Sequence, residues 1–286
     1  MLAKANTAKD DRQREFLFTD RDFKAIVSLV HERAGISLSE QKRELVYSRL
    51  SRRLRVLGLK KFSDYMRVVN ADDNVEEMGN FINAITTNLT AFFRESHHFD
   101  HLAKHVVAPL VGSANADRKQ LLVWSAGCST GEEPYSIAMT IAAGLPNWNK
   151  HNVRILATDL DTNAVAACRR ATYRRESTHQ IPKEMSKQFL TGVDAETVRV
   201  APELQRMLSF KQLNLRGAWP MRRQYDVIFC RNVMIYFDDA FKTELLNGFH
   251  RLLKPGGHLY IGHSESANKL HSGFELIGRT IYERKS

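Results

Sequence analysis

The sequence predicts an α/β protein: a doubly wound sheet carrying a small antiparallel β insertion, preceded by an all-α N-terminal domain. Three observations predict it. From about residue 119, short apolar runs alternate with amphipathic helical segments, the pattern of a mostly parallel sheet. Residues 16–84 show helical periodicity with cap signals and no strand-like alternation. The stretch Val123-Trp124-Ser125-Ala126-Gly127-Cys128-Ser129-Thr130-Gly131-Glu132-Glu133-Pro134-Tyr135-Ser136 reads as a buried strand, a glycine turn and the start of a helix.

In the N-terminal part, Thr19-Asp20-Arg21-Asp22 caps an amphipathic run to Ala34 that Gly35 stops. Ser37-x-x-Glu40 reads as a capping box for a second helix running to Leu57, with Gly58 as its stop. Phe62–Val69 and Val75–Ile85 continue the helical pattern. On the second helix Val46, Leu50, Leu54 and Leu57 form an apolar stripe. Lys42, Arg49 and Arg53 form a basic stripe beside it, with Arg52 and Arg55 beyond. Residues 41–61 hold eight basic residues and one acidic one. With so few local acids and no i, i+4 partners, the stripe reads either as a solvated face or as the docking face for a negatively charged helical or nucleic partner. Residues 1–15 are expected to be a disordered N-terminus.

In the second part, strands are expected at 121–124, 153–158, 226–230, 258–262, 274–277 and 280–282. The fourth of these follows Leu252–Gly257. Gln188–Thr191, Thr197–Val200 and Met207–Lys211 are read as three short strands of an antiparallel insertion at 187–212.

The glycine turn carries the chemistry. A strand that ends in Asp159, one strand-helix unit after the turn, places an acid where ribose hydroxyls are gripped. The turn has neither G-x-G-x-x-G nor a phosphate-loop lysine, and Glu132 and Glu133 would repel phosphate. Those acids suit an adenosine ligand carrying an ammonium and a sulfonium, as S-adenosylmethionine does. Arg231-Asn232 closes another apolar strand and, with Tyr236, belongs at the carboxyl edge of the sheet, since a buried strand ends in such groups when they meet something polar.

The formal net charge of +10 and pI of about 9.6 invite a nucleic-acid reading. In the first 115 residues, however, the positive charge is one focused patch. Cys128, Cys168 and Cys230 are far apart in sequence and form neither a disulfide framework nor a zinc knuckle. No apolar run approaches the roughly 18 to 20 residues that span a bilayer. His97, His101 and His105 fall on one helical face, but with no H-E-x-x-H arrangement they are read as ordinary histidines and no metal is expected.

The segments Thr86–Glu95, Ser129–Ser136, Phe229–Phe237 and Leu252–Glu265, in this order and spacing, resemble the bacterial chemotaxis receptor glutamate O-methyltransferases. The resemblance runs from about residue 16 to the end. It implies a Rossmann-like class I methyltransferase domain over 85–286, a helical substrate-recognition domain over 16–84, and S-adenosylmethionine as methyl donor, giving S-adenosylhomocysteine. It places Asn88, Thr90, Arg94, Glu133, Asp159, Asn214, Leu215, Arg231 and Asn232 around that donor, and Arg94 and Tyr236 beside the reacting methyl. It assigns Lys42, Arg49, Arg52, Arg53 and Arg55 to receptor recognition. It further implies a cytoplasmic bacterial monomer acting on the cytoplasmic helices of transmembrane chemoreceptors, with neither nucleic acid nor membrane insertion involved. A nucleic-acid amino-methyltransferase would be expected to carry [N/D]-P-P-[Y/F] where this chain has Arg231-Asn232-Val233-Met234. A nucleotide-binding regulator would leave Arg94 and Tyr236 without a task.

Overall fold

Thr19 opens the first helix, α1 (Asp20–Ala34). Its hydroxyl accepts the Asp22 N–H at 3.2 Å while the Asp22 carboxylate accepts the Thr19 N–H at 2.9 Å, and Gly35 ends the helix at φ 73°. The computed structural model describes residues 14–71, 74–111 and 120–286. These fall into two units, one ending at Thr87 and the other beginning at Asn88.

The first unit continues with α2 (Arg43–Leu57), α3 (Phe62–Val69) and α4 (Val75–Ile85). The capping box expected at Ser37 does not start α2. A 3₁₀ turn, Glu40–Lys42, leads into the helix without a side-chain cap, and Arg43 fastens it by ion pairs to Asp20 (2.9 Å) and Glu40 (3.1 Å). Val46, Leu50 and Leu54 are fully buried with Phe18, Ile26, Phe62, Tyr65 and Phe81, whereas Leu57, the last residue of the stripe, is 38% exposed. Residues 1–13 of the expected disordered terminus lie outside the described residues. Its last two are held, Arg14 by Glu44 and Glu15 by Arg55.

The second unit is built on a seven-stranded sheet. Its strands are β1 (Gln120–Ala126), β2 (Asn152–Asp159), β6 (Leu208–Gln212), β7 (Tyr225–Cys230), β8 (Leu253–Ile261), β9 (Phe274–Gly278) and β10 (Ile281–Arg284), in the order β6-β2-β1-β7-β8-β10-β9. Pairing is parallel from β6 to β8, and β10 and β9 close it antiparallel. β1 is central, with Val123 level with Ile155 on one side and Val227 on the other. Strands covered on both faces read as continuous apolar runs, as β1 and β7 do. Trp124 is fully buried, its indole N–H donating to the Thr158 hydroxyl at 2.9 Å and its ring meeting Trp219 and Phe249 edge-on. β8 begins earlier than expected, at Leu253, which pairs with Tyr225 ahead of a register shift that brings His258 level with Val227.

The insertion also differs from the expectation. Its sheet is β3 (Thr172–Arg174), β5 (Thr197–Val200) and β4 (Leu190–Gly192), all antiparallel. The strand expected at Met207–Lys211 is β6 of the main sheet, parallel to β2, with Ile155 level with Leu208. Chain order reverses between β1 and β7, so the crevice beyond their carboxyl ends is where a doubly wound sheet takes its ligand. No helix among the described residues is long and apolar enough to cross a membrane.

Candidate functional site

The glycine turn leaves β1 and crosses at once to β2, since the N–H groups of Gly127 and Cys128 both donate to Thr158 O at 2.8 and 2.9 Å. Gly127 and Gly131 have φ of 85° and 105°, and a Cβ at Gly131 would lie 2.5 Å from the Tyr173 hydroxyl. Only glycine meets both demands there. The turn delivers the chain into α6 (Glu132–Gly144).

Asp159, at the end of β2, organises this turn. Its Oδ2 accepts the Ser129 N–H at 2.7 Å and its Oδ1 the Asp161 N–H at 2.9 Å. Burial pushes its carboxyl up from the usual range, against the pull of these amides. Asp161 caps α7 (Thr162–Arg170) through the Asn163 and Ala164 N–H groups, and its Oδ2 accepts the Asn88 amide at 2.7 Å. Leu213 N–H donates to Asp159 O at 2.9 Å, which brings the following Asn214 and Leu215 beside the same strand end. Asn214 Oδ1 accepts the Arg216 N–H (3.0 Å), and Leu215 O the Trp219 indole N–H (3.0 Å).

A buried ionic chain runs beneath the site. Arg231, its side chain 2% exposed, donates to Glu133 Oε2 at 3.2 Å, lies 3.4 Å from Glu95 Oε2, and donates to Arg94 O. Glu133 Oε1 accepts the Ser125 hydroxyl at 2.7 Å, and the guanidinium stacks over Phe99 at 5.6 Å. Burial drives the Glu133 carboxyl up while Arg231 opposes it; Glu95 is net lowered because His263 and Arg231 outweigh its burial. Both Glu132 and Glu133 are buried, and Glu132 accepts from the Thr130 hydroxyl. Glu133 is therefore already engaged, so its part at the site includes holding Arg231.

Glu265 fixes the loop after β7. Its Oε2 accepts the N–H groups of Asn232 (3.0 Å) and Gly262 (2.5 Å), and its Oε1 that of Ile235 (3.2 Å), which sets the turn carrying the half-buried Tyr236. Asn232 sits at φ 58°, Ser129 at 49°, Phe93 at 52° and Glu95 at 57°. Four non-glycine residues in the left-handed region thus lie in the site segments, where each costs on the order of 1 to 3 kcal/mol and the surroundings must over-determine it. Phe93 N–H, for example, is held by the Ser136 hydroxyl at 2.9 Å.

The structure thus gathers Asn88, Arg94, Glu133, Asp159, Asn214, Leu215, Arg231, Asn232 and Tyr236 on segments at or joined to one sheet edge. Thr90 is half-buried on the same segment as Asn88, and Arg94 donates to Leu89 O at 3.0 Å. Phe92 is fully buried against Tyr173, whereas the Tyr236 ring is partly open to the surface. Asp161, Glu95 and Glu265 were missed. Asp161 carried a signal, as the cap residue of a helical run; Glu265 carried none, its partners being remote in sequence.

Cys128 and Cys168, distant in sequence, bring their sulfurs to 3.9 Å, both buried as free thiols. Two further expectations, on the histidines and on the basic stripe, are corrected. The three histidines do not share one face. The helix α5 (His97–His101) passes into a π turn, Leu102–Val107, so His101 stacks on His105 and bonds the Tyr260 hydroxyl, while His97 bonds Arg279 O. The basic stripe is not unpartnered. Arg53 makes a bidentate pair with buried Glu77 (3.0 and 2.5 Å), Arg49 donates to Ile85 O and Thr86 O (2.6 and 2.7 Å), and Arg55 pairs with Glu15. Lys42, Arg52 and Arg55 are the exposed members, and of these Arg55 is paired with Glu15.

Two family models match the chain: the all-alpha domain of CheR methyltransferases over residues 21–86 and their SAM-binding domain over 88–282. A chemotaxis protein methyltransferase of Klebsiella aerogenes is 44% identical over 268 residues, 92% of this chain and 89% of the relative. That of Escherichia coli K12 is 43% identical over 272 residues, 92% and 91% of the two chains. Chemotaxis protein methyltransferase 2 of Pseudomonas aeruginosa is 41% identical over 273 residues, 94% and 95%.

Proposed function

The chain belongs to the CheR methyltransferase family, and from that premise we propose that it transfers the methyl group of S-adenosylmethionine to glutamate side chains of chemoreceptor cytoplasmic helices, forming glutamyl methyl esters in chemotaxis. The observation that carries the reading is the strand edge where Asp159 holds the glycine turn and, through Asp161, stands beside Asn88. The Ser129 hydroxyl in that turn is buried without a hydrogen-bond partner, as expected of a group that meets a polar ligand.

When bound, S-adenosylmethionine supplies a methyl on a sulfonium, with a neutral thioether as leaving group. Asn88, Thr90, Asp159, Asn214 and Leu215 hold its adenosine portion, and Glu133, Arg231 and Asn232 line its amino-acid end. The target carboxylate, with a reference pKa of about 4.3, is ionised at neutral pH and needs no general base. Arg94 orients it, and Tyr236 walls the methyl site with a face that favours a cation. The protein's task is alignment and exclusion of water, which supply on the order of 7 to 11 kcal/mol. The exposed cations Lys42 and Arg52 meet the acidic receptor helix. The protein acts in the bacterial cytoplasm as a monomer, without metal or nucleic acid.

Calorimetry with S-adenosylhomocysteine tests the site. One molecule bound per chain is expected, with the affinity at least tenfold weaker in Asn88→Ala and Asp159→Asn. Unchanged binding in both variants contradicts the assignment.

A further inference from the structure

We propose that His263 contacts the substrate in the methyl-transfer site, with its Nε2 meeting the carboxylate of the target glutamate. The inference rests on the reading above that Arg94 and Tyr236 flank the reacting methyl.

His263 follows β8 in a turn with little freedom. Gly262 N–H is bound by Glu265 Oε2, and Glu265 N–H returns to Gly262 O at 2.9 Å. The same carboxylate binds Asn232 and Ile235, so this turn is fastened to the loop carrying Arg231 and Tyr236. The His263 side chain is 66% exposed yet anchored, its Nδ1 lying 2.9 Å from Glu95 Oε1. Its own N–H points to the same oxygen at 3.4 Å. Glu95 is held in turn by Arg231 (3.4 Å) and lies 3.7 Å from His98 Nδ1, and it directly follows Arg94.

A carboxylate accepts only, so the hydrogen of this contact is on Nδ1, and Nε2 is left with no hydrogen bond among the described residues. A carboxylate holding one imidazole nitrogen so that the other faces outward is the arrangement that aims a histidine at a ligand. In the neutral ring Nε2 carries a lone pair and turns away an anion. In the imidazolium it donates, and an arriving carboxylate selects that form. Arg94 and His263 then grip one carboxylate from two sides and fix the oxygen that faces the methyl. The charged group in contact with the ring is Glu95, and the groups tied to Glu95 are Arg231, which also donates to Glu133, and His98, which bonds the Thr280 hydroxyl at 3.0 Å.

The test compares full-length wild type, His263→Ala and His263→Gln, using a receptor cytoplasmic domain and labelled S-adenosylmethionine. In His263→Ala, kcat/KM for receptor is expected to fall at least tenfold while S-adenosylhomocysteine affinity stays within twofold. His263→Gln, whose amide keeps a donor, recovers part of the activity. Wild-type kcat/KM in His263→Ala, activity of His263→Gln as low as that of His263→Ala, or equal loss of cofactor affinity overturns the proposal while leaving the function intact. A wild-type protein that methylates no receptor glutamate overturns both.

Discussion

Replacing Arg231 by Met removes the cation that the structure places between buried Glu133 and half-buried Glu95. The guanidinium serves Glu133, Glu95 and the Arg94 carbonyl from a site 2% exposed. An isosteric apolar side chain keeps the volume but leaves the Glu133 charge stranded, and breaking a buried pair in this way costs about 3 to 5 kcal/mol. For a unit of this size each kcal/mol moves the melting point by roughly 2 to 4 °C, so a fall of about 10 °C is expected. All three tryptophans, Trp124, Trp148 and Trp219, lie in the second unit, so urea unfolding followed by tryptophan fluorescence reports that unit alone. Adding Glu133→Gln removes the stranded charge and should recover at least about 1 kcal/mol, an interaction that a double-mutant cycle reads directly. A melting point within about 2 °C of wild type, or strictly additive effects, refutes the ionic chain.

Other consequences follow from the same structure. Arg94→Ala should lower kcat/KM by roughly ten- to a hundred-fold, from the loss of a charged hydrogen bond of about 1.5 to 3 kcal/mol, with the urea midpoint unchanged; wild-type turnover at saturating cofactor argues against its orienting role. Lys42→Glu with Arg52→Glu should weaken receptor methylation and flatten its dependence on salt without altering cofactor affinity. Arg53→Glu instead should unfold the first unit by leaving Glu77 unpaired, and circular dichroism separates the two outcomes. Burial and neighbouring cations hold His98 at about 3 and His101 at about 4, below the unfolded value of about 6.5. The unfolded chain therefore binds more protons between these values, and stability should fall as pH drops below 6.5, by up to about 1.4 kcal/mol per pH unit for each histidine. A urea midpoint that is equal or higher at pH 5.5 than at pH 7 contradicts this.

The helices and the parallel strands were legible because local rules place them. Thr19 and Gly35 bracket α1, and the runs of β1 and β7 are apolar on both faces. The site's frame was legible for the same reason, since the acid ending β2 and the glycine turn are neighbours in any doubly wound sheet. What failed depended on distant partners. A strand at 207–211 reads alike in either sheet, and only its register with Ile155 assigns it to the large one. Arg53 and Arg55 looked unpartnered because Glu77 and Glu15 lie 24 and 40 residues away. Glu265 binds amides 33 and 30 residues earlier, and Glu95 meets Arg231 only after the chain has folded. The Ser37 signal lost to Arg43, whose two acidic partners set the start of α2 instead.

The most direct test of the central claim is methyl transfer itself. Purified protein, methyl-labelled S-adenosylmethionine and a receptor cytoplasmic domain should yield label on the receptor that mild base releases as methanol, and mass spectrometry should place it on glutamate side chains. Label that resists base, or that appears on another residue type or on nucleic acid, contradicts the account.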